Sequence, residues 1–219
     1  MKSALLFFVA SIAMHSVVLA QSTPNDPRAE KLLKSLEQKL DSYDIFKADF
    51  VYELQNQAAG INETQEGTII VDKKGHFKLS LSEQIIYCNL KSLTVWMPQM
   101  QEVQISEYNK QEFEFAPSEM FKLYEKGFLY AMAEPRTIEG KTYQQVHLTP
   151  QDKDKPYFKV KVLIDKKAMQ PYQTELRYKN GNVYTYTVKD FIPDPGGITD
   201  DFYTFSPSDH PQAEIVDLR

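Results

Sequence analysis

The 219-residue chain carries 25 Lys and Arg against 30 Asp and Glu, a formal charge of −5, and this acidic balance argues against a nucleic-acid partner. With 42% hydrophobic residues it can bury one sizeable core, and with a single cysteine, Cys88, it can form no internal disulfide, so its stability must come from packing.

Residues 1–20, MKSALLFFVASIAMHSVVLA, combine one Lys, an apolar run and the small residues Val18 and Ala20 ahead of the polar QSTPNDPR. That is the pattern of a cleavable secretory signal peptide, and it leaves 21–219 as one expected domain. A lipoprotein would begin its mature chain with Cys, and Gln21 stands there instead. The mature protein is therefore expected to be soluble.

Asp26 as cap and Pro27 at the first helical position predict a helix to about Ser42. Leu32, Leu33, Leu36, Leu40 and Tyr43 form its apolar stripe. Phe46 to Leu54 then alternates with period two, Phe46, Ala48, Phe50, Tyr52 and Leu54 against Lys47, Asp49, Val51 and Glu53, and predicts a half-buried strand. Asn56 to Glu66 has no periodicity and is expected to be a loop. From Gly67 to Ile105, short β-branched and aromatic runs separated by turn residues predict an antiparallel meander with strands at 67–71, 76–81, 84–88, 93–97 and 102–105. The linkers are too short for parallel crossovers, so sequence neighbours should be sheet neighbours.

Pro117 or Ser118 begins a second short helix ending at Gly127, with Met120, Phe121, Leu123 and Tyr124 apolar. Strands are expected again at 128–132, 142–148 and 157–164, the last with Phe158, Val160, Val162 and Ile164 on one side. In TELRYKNGNVYTYTV, Asn180-Gly181 predicts a two-residue type I′ hairpin turn, which sets Arg177 opposite Tyr184 and Glu175 opposite Tyr186. A last short strand at 201–206 and an extended tail from His210 complete the chain.

Residues that carry chemistry are sparse. His76, His147 and His210 sit on different predicted elements without metal-ligand spacing, no Ser lies in a Gly-x-Ser-x-Gly elbow, and no Gly-rich loop precedes a helix. Asp194, Asp200 and Asp201 do not match the spacing of a calcium loop. Neither a metal nor a cofactor is expected. Many apolar sheet positions and two amphipathic helices suit a cavity for hydrocarbon, where each buried methylene contributes about 0.8 kcal/mol. Composition alone leaves a tightly packed sandwich without a cavity as the alternative.

The order of FKADFVYEL (46–54), EGTIIVDKKGHFKL (66–79), QIIYCNLKSLTVWMPQMQEV (84–103), APSEMF (116–121), the Asn-Gly hairpin and FYTFSPSDHPQAEIVDLR (202–219) resembles the periplasmic outer-membrane lipoprotein carrier family, LolA, over the whole mature chain. The resemblance implies a mainly β, α+β fold: an incomplete, strongly curved antiparallel β-barrel with helices forming a lid over an apolar concave face. It implies a monomeric, non-enzymatic carrier of acylated lipoproteins, loaded by an inner-membrane ABC transporter and unloaded to an outer-membrane acceptor. Phe50, Tyr52, Phe77, Leu79, Leu81, Val95 and Trp96 are the candidate acyl-chain residues, and Leu36, Leu40, Met120, Phe121 and Tyr124 the lid. Lys73, in Lys73-Lys74 where the family has Arg-Pro, is the candidate lid latch, able to supply the charge but not the planar fork. Leu90 stands where Gly is usual, and Thr94 and Trp96 replace a more common aromatic pair. A lipid- or lipoprotein-sensing domain that does not shuttle is the alternative, though a sensor is expected to carry a further domain or membrane segment. A lipid-modifying hydrolase is a third reading, against which the missing nucleophile elbow argues.

Overall fold

The computed structural model describes residues 25–109 and 127–219. The expected signal peptide and the expected helix with Met120, Phe121 and Tyr124 lie outside the described residues.

Helix α1 spans Pro27–Asp41, and the Asp26 carboxylate accepts the Arg28 amide at 2.9 Å as its cap. Ala29, Leu33, Leu36 and Leu40 recur at three- and four-residue steps and are all buried. Each leucine taken out of water stabilises the contact by about 1.5–3 kcal/mol, so α1 is held by one face. The helix meets the strands Phe128–Ile138 and Gln170–Tyr178 of the sheet.

Among the described residues the sheet has twelve strands: β1 Ile45–Asn56, β2 Ile61–Asp72, β3 Phe77–Leu81, β4 Ile85–Cys88, β5 Ser92–Met97, β6 Glu102–Glu107, β7 Phe128–Ile138, β8 Lys141–Pro150, β9 Tyr157–Asp165, β10 Gln170–Tyr178, β11 Val183–Pro193 and β12 Glu214–Asp217. Their order, β12-β6-β5-β4-β3-β2-β1-β11-β10-β9-β8-β7, makes one open, curved sheet, an incomplete barrel as expected. Two meanders run outward from the β1–β11 seam.

Four expectations are corrected. Residues 61–66 belong to β2, which pairs with β1 along its whole length; only Gln57–Gly60 turn. The outer half of β2 is exposed, so it lacks the apolar alternation that marks a half-buried strand. The β10–β11 loop has three residues, not two. Tyr178 donates its amide to the Asn182 carbonyl at 2.9 Å, and Gly181 alone takes positive φ, +90°, as in a type I turn followed by a bulge. Arg177 therefore faces Val183, and Leu176 faces Tyr184. A register shift beside Tyr157 leaves Phe158 49% exposed, off the face that strict alternation with Val160, Val162 and Ile164 predicts. Finally, residues 201–206 form no strand: short 3₁₀ turns occupy Asp200–Tyr203 and Pro207–Asp209, and β12 then pairs with β6 in parallel. That parallel contact is made by the chain's end returning to the sheet edge.

Period-two alternation places two cores on opposite faces. The inner, concave face carries Phe46, Ala48, Phe50, Ile69, Val71, Phe77, Leu79, Cys88, Val146, Leu148, Val160, Val162, Ile164 and Leu176 under α1. On the outer face of β4–β6, Tyr87, Trp96 and Val103 pack against Phe205, contributed by the C-terminal segment. Both faces of that half are covered, which explains why its strands lack a clean polar side.

Candidate functional site

Among the described residues, the inner face around the β1–β11 seam offers contact for an apolar ligand. Phe50, Tyr52 and Leu54 pair with Val188, Tyr186 and Tyr184 on β11, and Leu176 of β10 pairs with Tyr184. The side chains of one row thus stand next to those of the next. Their rings touch in series. Phe50 lies 6.3 Å from Tyr186, Tyr186 5.3 Å from Tyr52, Tyr52 6.1 Å from Tyr184, and Tyr184 4.9 Å from Tyr178. Tyr178 continues to Tyr157 at 5.8 Å and Tyr157 to Phe128 at 6.3 Å. The result is an aromatic belt drawn from β1, β11, β10, β9 and β7, with aliphatic Leu176, Val160 and Leu148 beside it.

Tyr52, Tyr178, Tyr184 and Tyr186 are only partly buried, so the belt is reachable from the concave side. Burial, with Tyr184 and Glu63 nearby, pushes the Tyr52 phenol up to about 12. Burial, reinforced by the phenols of Tyr52, Tyr178 and Tyr184, raises Tyr186 as well. Both hydroxyls are therefore neutral at physiological pH. Such a surface presents hydrocarbon contact and a few uncharged donors, with no carboxylate or amine among the belt residues.

Phe50, Phe77 and Leu79 lie buried on the inner face in the same cluster as Leu36 and Leu40, while Tyr52 and Leu81 pack at its margin. Val95, opposite Ile86, points to that face too. Trp96 does not: as the next residue on β5 it must face the other way, and it packs at 5.6 Å from Phe205 and 4.8 Å from His210. It belongs to the outer cluster, apart from the other candidates. Lys73 does not touch backbone carbonyls of α1. Its ammonium pairs with the Asp44 carboxylate, and its amide donates to the Asp44 carbonyl at 2.9 Å, which ties the β2–β3 turn to the link between α1 and β1.

Tyr178 is absent from the candidates drawn from sequence although the type I′ register already sets it on the side of Leu176, and Tyr184 and Tyr186 are absent because that register sends them to the face of Arg177 and Glu175. Moving the loop by one residue brings them to the inner face. The Tyr-x-Tyr spacing of 184 and 186, identical to the Phe50, Tyr52 spacing on β1, is the signal that points to them.

No protein-family model and no curated protein sequence matches this chain. Solved structures do. An uncharacterized conserved protein from Thermus thermophilus superposes with a TM-score of 0.56 at 10% identity, covering 87% of this chain and 99% of that one. The lipoprotein LppX of Mycobacterium tuberculosis gives 0.52 at 9% identity, over 80% and 100% of the two chains. A LolA superfamily protein from Nitrosomonas europaea gives 0.42 at 14% identity, over 81% and 97%. At these identities the likeness is one of fold, and that fold is an open, curved antiparallel sheet, the incomplete barrel that the sequence resemblance implied.

Proposed function

We propose that this protein binds acyl chains on its concave face and carries acylated lipoproteins between membranes, as a periplasmic, non-enzymatic chaperone. The aromatic belt of neutral phenols beside an aliphatic floor is the observation that carries the proposal. Acyl chains supply methylenes for the floor, each contributing about 0.8 kcal/mol when buried, and their ester or amide carbonyls can accept from the phenols. The resemblance of the sequence to lipoprotein carriers supports the same ligand class, with an ABC transporter as donor and an outer-membrane acceptor as recipient. No helix among the described residues is long and apolar enough to cross a membrane.

The test is displacement of a fluorescent fatty-acid probe. A triacylated lipopeptide should compete and its unacylated peptide should not. Tyr52→Ala and Tyr184→Ala should each weaken the probe severalfold. Equal competition by the unacylated peptide overturns the proposal.

A further inference from the structure

A second constellation lies away from the belt, where the β2–β3 turn meets the 3₁₀ turn at Asp200–Tyr203. Asp72 ends β2. Its Oδ1 accepts the amides of Gly75 and His76, both at 2.9 Å, and its Oδ2 stands 2.7 Å from His76 Nδ1. The carboxylate and imidazole are thus fixed with respect to each other by the turn that Gly75, at φ +98°, makes. Asp200 approaches from the C-terminal segment, and one donor atom each from Asp72, His76 and Asp200 lie within 4.8 Å of one another.

The independent observation is Tyr203. It is 2% exposed, and its hydroxyl is the one buried side-chain polar atom among the described residues that has no hydrogen-bond partner. Its ring lies 5.5 Å from that of His76, and burial, with the carboxylates of Asp72 and Asp200 nearby, holds its phenol protonated. A buried hydroxyl without a partner is destabilising, and a cation held by the neighbouring Asp72 and Asp200 carboxylates would give this oxygen one.

We propose that Asp72, His76, Asp200 and Tyr203 form a binding site for one divalent transition-metal ion, of which zinc fits the donors best. Imidazole nitrogen with carboxylate and phenol oxygens suits a four-coordinate zinc ion, whereas calcium wants six to eight oxygens. Zinc–ligand bonds of about 2.0–2.2 Å set tetrahedral donors about 3.4 Å apart, so Asp72 Oδ2 and His76 Nδ1, now 2.7 Å apart, part slightly, and Asp200, exposed at the surface, is the side chain free to move in. Lys74, whose ammonium lies 3.4 Å from Asp200, already answers the negative charge there and would swing aside. The bound ion ties the C-terminal segment to the β2–β3 turn.

Equilibrium dialysis of tag-free protein against Zn²⁺, with visible absorption of the Co²⁺-loaded protein, tests this. One equivalent should bind and raise Tm, and Co²⁺ should give the intense bands of a four-coordinate site. His76→Ala and Asp200→Asn should weaken Zn²⁺ binding tenfold or more, and Tyr203→Phe at least threefold. Asp200→Asn alters an exposed side chain, so its metal-free Tm should match the parent and separate lost binding from lost folding. His147→Gln should bind as the parent does. Absence of a bound equivalent at tens of micromolar Zn²⁺, parental affinity in Asp200→Asn or Tyr203→Phe, or loss in His147→Gln overturns the site.

Discussion

Leu90 holds the left-handed conformation, φ +65°, in the turn between β4 and β5, where Asn89 Oδ1 accepts the amides of Lys91 and Ser92. An L-residue with a γ-branched side chain pays about 1–2 kcal/mol for that conformation, and Leu90 is 39% exposed, so little packing offsets it. Leu90→Gly should therefore stabilise the protein by about 1 kcal/mol, seen in calorimetry as a Tm rise of about 2–4 °C for a chain of this size. Gly67 is the converse. A Cβ there would stand 2.7 Å from Phe50 Cζ and 2.9 Å from Leu81 Cδ2, so Gly67→Ala should displace the Phe50 ring and lower both Tm and probe affinity. Cys88 is fully buried in the inner core, and burial raises its thiol pKa. It should react with a thiol reagent only after denaturant is added; fast labelling of native protein contradicts this placement. At this scale the sequence is informative where local chemistry decides: Leu90 at a glycine position and the Asp26 cap are both readable. The Asp72, His76 and Asp200 grouping is not, since Asp200 comes from a segment more than a hundred residues away.

Among the elements, the hairpins are legible and their registers are not. Lys-Asn-Gly-Asn accommodates a two-residue or a three-residue loop, and what selects between them lies outside the hairpin. Asn56, at the end of β1, donates to the Asn180 carbonyl at 3.2 Å and to Asn182 Oδ1 at 2.7 Å, while its own Oδ1 accepts the Ala59 amide at 3.0 Å. This buried side chain fastens two loops at once. Asn56→Ala should cost about 1–3 kcal/mol by orphaning those groups, measured by urea denaturation. On the outer face Glu175 receives Lys161 at 2.8 Å and Arg177 at 2.7 Å. Burial opposes its ionisation, but the hydrogen bonds from Lys161 and Arg177 outweigh that and hold the carboxyl below its ordinary value. Its folded pKa lies below its unfolded one, so its contribution is complete above the unfolded pKa and fades as pH falls through the folded one. Glu175→Gln should flatten the acid limb of the stability curve and leave the neutral-to-alkaline limb parallel to the parent's. An unchanged acid limb would show that the pair is not what acid disrupts.

For the molecule as a whole, the proposed function sets α1 and an acyl chain in competition for the inner face. Leu33, Leu36 and Leu40 lie in the same buried cluster as Phe50, Phe77 and Leu79, so deep insertion of hydrocarbon requires α1 to lift. Under the proposed carrier function, ligand binding should accelerate hydrogen exchange in α1 while slowing it in β1 and β11, and protection of α1 by ligand would exclude this competition. Leu36→Ala should cost about 2–5 kcal/mol of stability, a test of α1 as core that holds whatever the ligand.

The pairing of β1 with β11 sets a schedule for folding. Phe50 meets Val188 across most of the length of the chain, so the central pair of the sheet joins distant partners while every neighbouring hairpin is local. Local hairpins form early, and closure across so long a loop is slow, so each meander should be structured while the seam is still open. In that interval β1 and β11 are two unprotected edges carrying aromatic side chains, the arrangement most prone to pair with another chain. Refolding yield should therefore fall with protein concentration until the seam has closed, and a chain cut before β11 should aggregate even though β1–β6 is complete.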